Sequence, residues 1–241
     1  MTSKGRGSVL ICGAEGALGR EAVIGFHRMG FRVIASARTE ADMAKLDEFF
    51  AGQGVRGVRI LVYNLASEDD VARLAKLTDE PHAGGPVAYM MNCAGAFRWV
   101  PTVQATTEDF DLLLSANLRS SWLLAKHILP FMTRRNFGRM VFVSARATQA
   151  PGEVGMGLYT AAKAGLNALI QSIAQEVRPY NINVNALLPT IIDTPANRRE
   201  MPDRDHSTWV TPVTLVNLAA MLFSDTADQV NGSLITVPGR V

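Results

Sequence analysis

The chain has 241 residues, 48% apolar and 19% charged, with 24 basic against 22 acidic side chains and a net charge of +2. A chain of this make-up can bury a full core, and its charge balance, with no basic run longer than two residues, argues against the concentrated cationic face that nucleic-acid binding requires. No apolar stretch approaches the roughly 20 residues that span a bilayer, and Cys12 and Cys93 are too few for a disulfide framework and wrongly spaced for a metal site.

Met1 to Gly7 is polar and basic, with no apolar segment of signal-peptide type, so a reducing, cytoplasmic location is expected. The first strand is expected over Ser8–Cys12. Gly13-Ala-Glu-Gly16-Ala-Leu18-Gly19 follows it and opens a helix. Glycines at that junction allow a tight turn, a close backbone approach to a diphosphate and close helix–strand packing, and the helix start presents free N–H groups. The motif therefore points to dinucleotide binding, with a structural turn as the alternative. Glu15, awkward beside a polyphosphate, is expected to point to solvent. The second strand, Arg32–Ser36, leads to Ala37-Arg38. An acid there would bind an adenosine ribose, whereas Arg38 offers a planar fork for a 2′-phosphate. NADP is favoured over NAD on that ground.

Thr39 with Asp42, Ser67 with Asp70 and Thr106 with Asp109 carry the spacing of helix capping boxes. Further strands are expected over Val58–Tyr63 and, after a turn at 82–86, Val87–Asn92. Phe97 and Trp99 lie where a substrate mouth would be, suited either to stacking on a flat substrate or to loop packing. The fifth strand is expected over Arg139–Ser144. Tyr159 and Lys163 share one face of the helix that follows, since they are four residues apart. An ammonium beside a phenol favours the phenolate and would bring an acid/base group closer to working pH. The sixth strand, Asn183–Leu188, precedes a long polar stretch from Thr190 to Thr211, read as a substrate lid containing Trp209 as an anchor. Thr211-Pro212 starts the last helix and Leu234–Val237 forms a seventh strand at one edge. No linker interrupts this alternation, so one domain is expected over 1–241. His27, His82, His127 and His206 are scattered without metal spacing. The expected architecture is α/β, a parallel sheet with helices on both faces.

Asn92-Cys-Ala94-Gly95, Asn117, Tyr159-x-x-x-Lys163 and Pro189 with Asp193-Thr194, in this order with the glycine loop, resemble the short-chain dehydrogenase/reductase family over essentially the whole chain. The resemblance implies a Rossmann-type sheet of order 3-2-1-4-5-6-7 and hydride transfer involving a nicotinamide. It implies that Tyr159 is the general acid/base, that Lys163 holds the nicotinamide ribose and tunes Tyr159, and that Asn117 anchors a proton-relay water. It places Gly13, Gly16, Leu18, Gly19, Arg38, Asn64, Leu65, Asn92, Ala94, Gly95 and Pro189 along the cofactor, with Ile192 and Thr194 at its carboxamide. It also implies a homo-oligomer, dimer or tetramer, built on the helices of Asn117 and Tyr159.

The chain departs from the family pattern in three places. Ala17 stands where a glycine is usual, Thr190 follows Pro189 in place of glycine, and Ala145 stands at the catalytic serine. Ser144 faces the other side of its strand, and Thr148 would have to fold back to serve. The segment from Leu187 to Trp209 resembles dihydropteridine reductase-like members, which also lack the serine. The expected function is therefore NADPH-dependent reduction of a small carbonyl or quinonoid/imine-like compound. A weakly active nucleotide-binding sensor or scaffold is the alternative.

Overall fold

The computed structural model describes residues 7–80, 86–149 and 152–240. The residues before Gly7, most of the expected turn at 82–86, and with it His82, lie outside the described residues. Seven strands are present: β1 (Ser8–Cys12), β2 (Val33–Ala37), β3 (Arg59–Val62), β4 (Val87–Asn92), β5 (Gly138–Val143), β6 (Ile182–Pro189) and β7 (Leu234–Val237). They form one parallel sheet of order β3-β2-β1-β4-β5-β6-β7. The order matches expectation, β1, β4 and β7 have the expected limits, and each end of the other four differs by one residue. β7 lies at an edge, as its short, half-buried run requires.

Alternate residues of the central strands feed two cores. Val9 and Ile11 of β1 join Tyr89, Met91 and Val141 on one face, where α1 (Ala17–Arg28), α2 (Glu40–Gly52) and α8 (Pro212–Phe223) pack. Leu10 and Cys12 join Met90, Met140 and Val184 on the other, under α3 (Glu68–Asp79), α5 (Ser120–Arg135) and α6 (Gly157–Glu176). Burial on both faces is why these strands read as unbroken apolar runs. Each expected cap is made: Thr39, Ser67, Thr106 and Thr211 accept the N–H three residues on, and at Thr106 the Asp109 carboxylate completes the box.

Two features bear on the site. α4 (Thr107–Leu114) runs into α5 through a single π-helical turn, Ser115–Arg119, that contains Asn117. The stretch after β6, expected to be irregular, holds the short helix α7 (Pro195–Glu200) and a 3-10 turn at His206–Thr208, tied by a bridge between Ile192 and Val210. Thr194-Pro195 is the same cap-and-proline signal read at Thr211-Pro212, so α7 was legible. The connections leaving β1 and β4 diverge, which opens a crevice at the carboxyl ends of the two strands. Among the described residues no helix is long and apolar enough to cross a membrane.

Candidate active site

The glycine loop lies at the mouth of that crevice. Gly13 has φ +76, a conformation that suits glycine, and a Cβ there would stand 2.6 Å from the Ala94 nitrogen. A Cβ on Gly19 would overlap the Gly13 carbonyl. These two glycines are demanded by the chain itself. Gly16 is not: its backbone is extended and a Cβ would find open space apart from Gly13 oxygen at 3.6 Å. Gly16 offers no side chain to cap α1, so first-turn N–H groups remain for an anion, with Leu18 buried beneath. A bare loop over an uncapped helix start fits the diphosphate of a dinucleotide. Ala17 is the first residue of α1, where an ordinary side chain is accepted.

The end of β2 differs from expectation. Glu15 does not point to solvent. Its Oε1 accepts the Arg38 backbone N–H at 2.8 Å and pairs with Arg38 Nε at 3.3 Å. The loop and the end of β2 meet here, so the carboxylate finds a donor and a cation that sequence distance had hidden. Asn64 is exposed after β3; its Oδ1 accepts the Ala66 N–H, and Leu65 packs partly into the core.

The loop after β4 is held tightly. Buried Asn92 donates to Ser121 Oγ and accepts the Ala94 N–H. Asn117, also buried, donates to the Ala96 and Leu113 carbonyls and accepts the Ala96 N–H. Gly95 leaves room for it: a Cβ would stand 2.7 Å from Asn117 Oδ1 and 3.4 Å from Lys163 Nζ. Asn117, Gly95 and Lys163 thus meet at one point. The Asn117 side chain is spent on backbone, so a water at this residue would be bound by its main-chain carbonyl, which already accepts from Ser121 Oγ.

Lys163 Nζ donates to the Val143 carbonyl at 2.8 Å and lies 5.9 Å from the centre of the Tyr159 ring. Burial pulls its ammonium down to about 8. The expected lowering of Tyr159 is not found: burial pushes the phenol up to about 12. The ammonium is turned toward Val143, and desolvation of the phenolate dominates. Burial also pushes the Cys12 thiol up to about 12 and raises the Cys93 thiol, so both behave as small apolar groups.

Among the described residues, neither hydroxyl beside Ala145 is free to take the place of the family serine. Ala145 is buried. Ser144 Oγ donates to the Lys163 carbonyl at 3.3 Å, and Thr148 Oγ1 donates to the Ala145 carbonyl at 2.8 Å while accepting from Asn167 Nδ2.

A family model for short chain dehydrogenases matches residues 8–205. The chain belongs to the short-chain dehydrogenase family. It is 28% identical to the 2-dehydro-3-deoxy-D-gluconate 5-dehydrogenase of Formosa agariphila, over 96% of this chain and 91% of that one. It is 30% identical to the 3-oxoacyl-(acyl-carrier-protein) reductase of Pseudomonas aeruginosa, over 95% of each. A solved short-chain type dehydrogenase/reductase from Mycobacterium ulcerans shares the fold, with a TM-score of 0.87 at 22% identity over 97% of this chain and 88% of that one.

This short-chain dehydrogenase has an apolar rim beside Tyr159. Phe97 meets the Tyr159 ring edge to face at 5.0 Å while remaining 56% exposed. Trp99 lies against Gly155, where a Cβ would collide with the indole, and the Val100 N–H donates to the Gly155 carbonyl at 2.8 Å. Arg98, between them, pairs with Asp109. After β6, Thr194 accepts the Asn197 N–H as the cap of α7, and Asn197 Nδ2 donates to the Ile192 carbonyl. Arg198 pairs with Asp193 through two nitrogens, and Trp209 is buried against His206. Pro189 ends β6 beside Val237. His27, His127 and His206 each have a separate partner, in Arg56, Glu68 and Met201.

Proposed function

We propose that this protein is an NADP-dependent reductase acting on a small carbonyl or quinonoid/imine-like substrate. The observation that carries the reading is the meeting of Asn117 and Lys163 beneath Gly95, with Tyr159 one helical turn from Lys163 at the open end of the sheet. The loop from Gly13 to Gly19 would hold the diphosphate, Arg38 the 2′-phosphate, and Asn64 with Leu65 the adenine. Asn92, Ala94, Gly95 and Pro189 would line the cleft, with Ile192 and Thr194 at the carboxamide. Bound there, the nicotinamide dinucleotide supplies the hydride.

The rest of the chemistry belongs to this chain. A phenol held near 12 is protonated at neutral pH, so Tyr159 is poised to give a proton to the substrate oxygen or nitrogen. Lys163, charged below about 8, would bind ribose hydroxyls and stabilise the phenolate left behind. With no hydroxyl at position 145, nothing there donates to a developing oxyanion. A substrate already electrophilic has least need of that donor. The exposed Phe97 ring would rest on a flat substrate. The missing donor also favours a second reading, a nucleotide sensor with feeble turnover. Following NADPH absorbance with quinones, imines and simple ketones separates the two: turnover on activated substrates supports the reductase, and none on any supports the sensor.

We also infer a homo-oligomer in a reducing, cytoplasmic compartment. Phe110, Leu112 and Trp122 are exposed on α4 and α5, and Ala161, Ala164 and Ala168 form an exposed, small-residue face on α6. Light scattering at micromolar concentration is expected to give a dimer or tetramer.

A further inference from the structure

The end of β2 lacks the carboxylate that an NAD-type site uses, because Ala37 and Arg38 stand there. The fold delivers one from another part of the chain. Glu15, inside the glycine loop, is bonded through Oε1 to the backbone N–H of Arg38 at 2.8 Å. A backbone donor is fixed in place, so the carboxylate is pinned at the end of β2. Its side chain is 17% exposed.

Arg38 is held much less firmly. Its side chain is 77% exposed, and its tie to Glu15 uses Nε at 3.3 Å, so neither terminal nitrogen takes part in it. One point in space therefore carries both an acid anchored to backbone and an exposed cation. These bonds use Oε1, so Oε2 remains to accept from a hydroxyl. A carboxylate there stabilises a free ribose 2′-hydroxyl and repels a 2′-phosphate. It also neutralises part of the charge that Arg38 would offer that phosphate.

We propose that Glu15 is a specificity residue of the dinucleotide site, supplying from the glycine loop the acid that β2 lacks and holding the preference for NADP over NAD to a modest one. The inference rests on the reading of this loop as a dinucleotide site with Arg38 toward the 2′-phosphate. It adds an opposing group that the order of residues conceals.

The test is calorimetric titration of the full-length protein with NADPH and with NADH, for wild type, Glu15→Gln, Glu15→Asp and Arg38→Ala. Gln retains an acceptor for the Arg38 N–H and removes the charge. Glu15→Gln is expected to bind NADPH more tightly and NADH more weakly, so that the affinity ratio rises about tenfold. Asp keeps the charge but is one methylene short of the Arg38 N–H; it is expected to lose NADH affinity without that gain in NADPH. Arg38→Ala is expected to lower the ratio. An unchanged ratio in a folded Glu15→Gln, checked by its thermal transition, overturns the proposal, as does failure of wild type to bind either dinucleotide. The underlying reading can fail separately: if wild type prefers NADH and Glu15→Gln still moves the ratio toward NADPH, the preference assigned to Arg38 falls and the role of Glu15 stands.

Discussion

At position 145 a buried methyl group stands where the family pattern has a hydroxyl, and both neighbouring hydroxyls are committed to backbone carbonyls. Ala145→Ser is therefore expected to raise kcat/KM on ordinary ketones more than on quinonoid substrates, because a new donor counts most where charge builds on oxygen. The gain reaches about 3 kcal/mol only with good aim. The loop from Arg146 to Leu158 is one residue longer than the family spacing, which reduces it. An unchanged ketone rate, together with loss of activity in Thr148→Val or Ser144→Ala, would show that a hydroxyl serves already. Lys163 is expected to set the pH behaviour. A lysine lowered to about 8 is charged below that pH and neutral above it. Reduction that depends on the charge should hold through neutrality and decline as pH rises through about 8, with that limb lost in Lys163→Ala. A pH–rate profile of kcat/KM checks this.

The loop between β4 and α4 works as one unit with the elements around it. Asn117 in the π turn fixes Ala96, Asp109 in the first turn of α4 fixes Arg98, and the backbone before α6 fixes Val100. Phe97 is carried between these anchors. Thr106→Ala removes the cap of α4 and is expected to cost about 1 kcal/mol, lowering Tm by a few degrees. If the loop is positioned by that helix start, KM for flat substrates should rise while cofactor affinity holds. Calorimetry and substrate kinetics on the variant test both. Such caps were legible in the sequence because donor and acceptor lie three residues apart, and the strands were legible because burial on both faces leaves an unbroken apolar run. The Glu15–Arg38 contact was not, since its partners are 23 residues apart and meet only when β2 pairs with β1. The behaviour of the Tyr159 phenol was hidden for a related reason. Spacing put Lys163 on its face of α6, but burial and the Val143 carbonyl decide where each charge is comfortable.

Across the whole molecule, the reversal of strand order between β1 and β4 brings together residues as distant as Gly13, Ala94 and Lys163. The parallel sheet, buried at its centre between two helical layers, carries that edge, and Trp209 is buried in the stretch that follows α7. The proposed reaction at this edge is hydride transfer with Tyr159 as proton donor. Its most direct test pairs two measurements on Tyr159→Phe: NADPH affinity by calorimetry, and NADPH oxidation with the best substrate of the quinone, imine and ketone panel. Affinity within a few-fold of wild type is expected, with turnover lost. Wild-type turnover in Tyr159→Phe, or loss of NADPH binding with it, would contradict it.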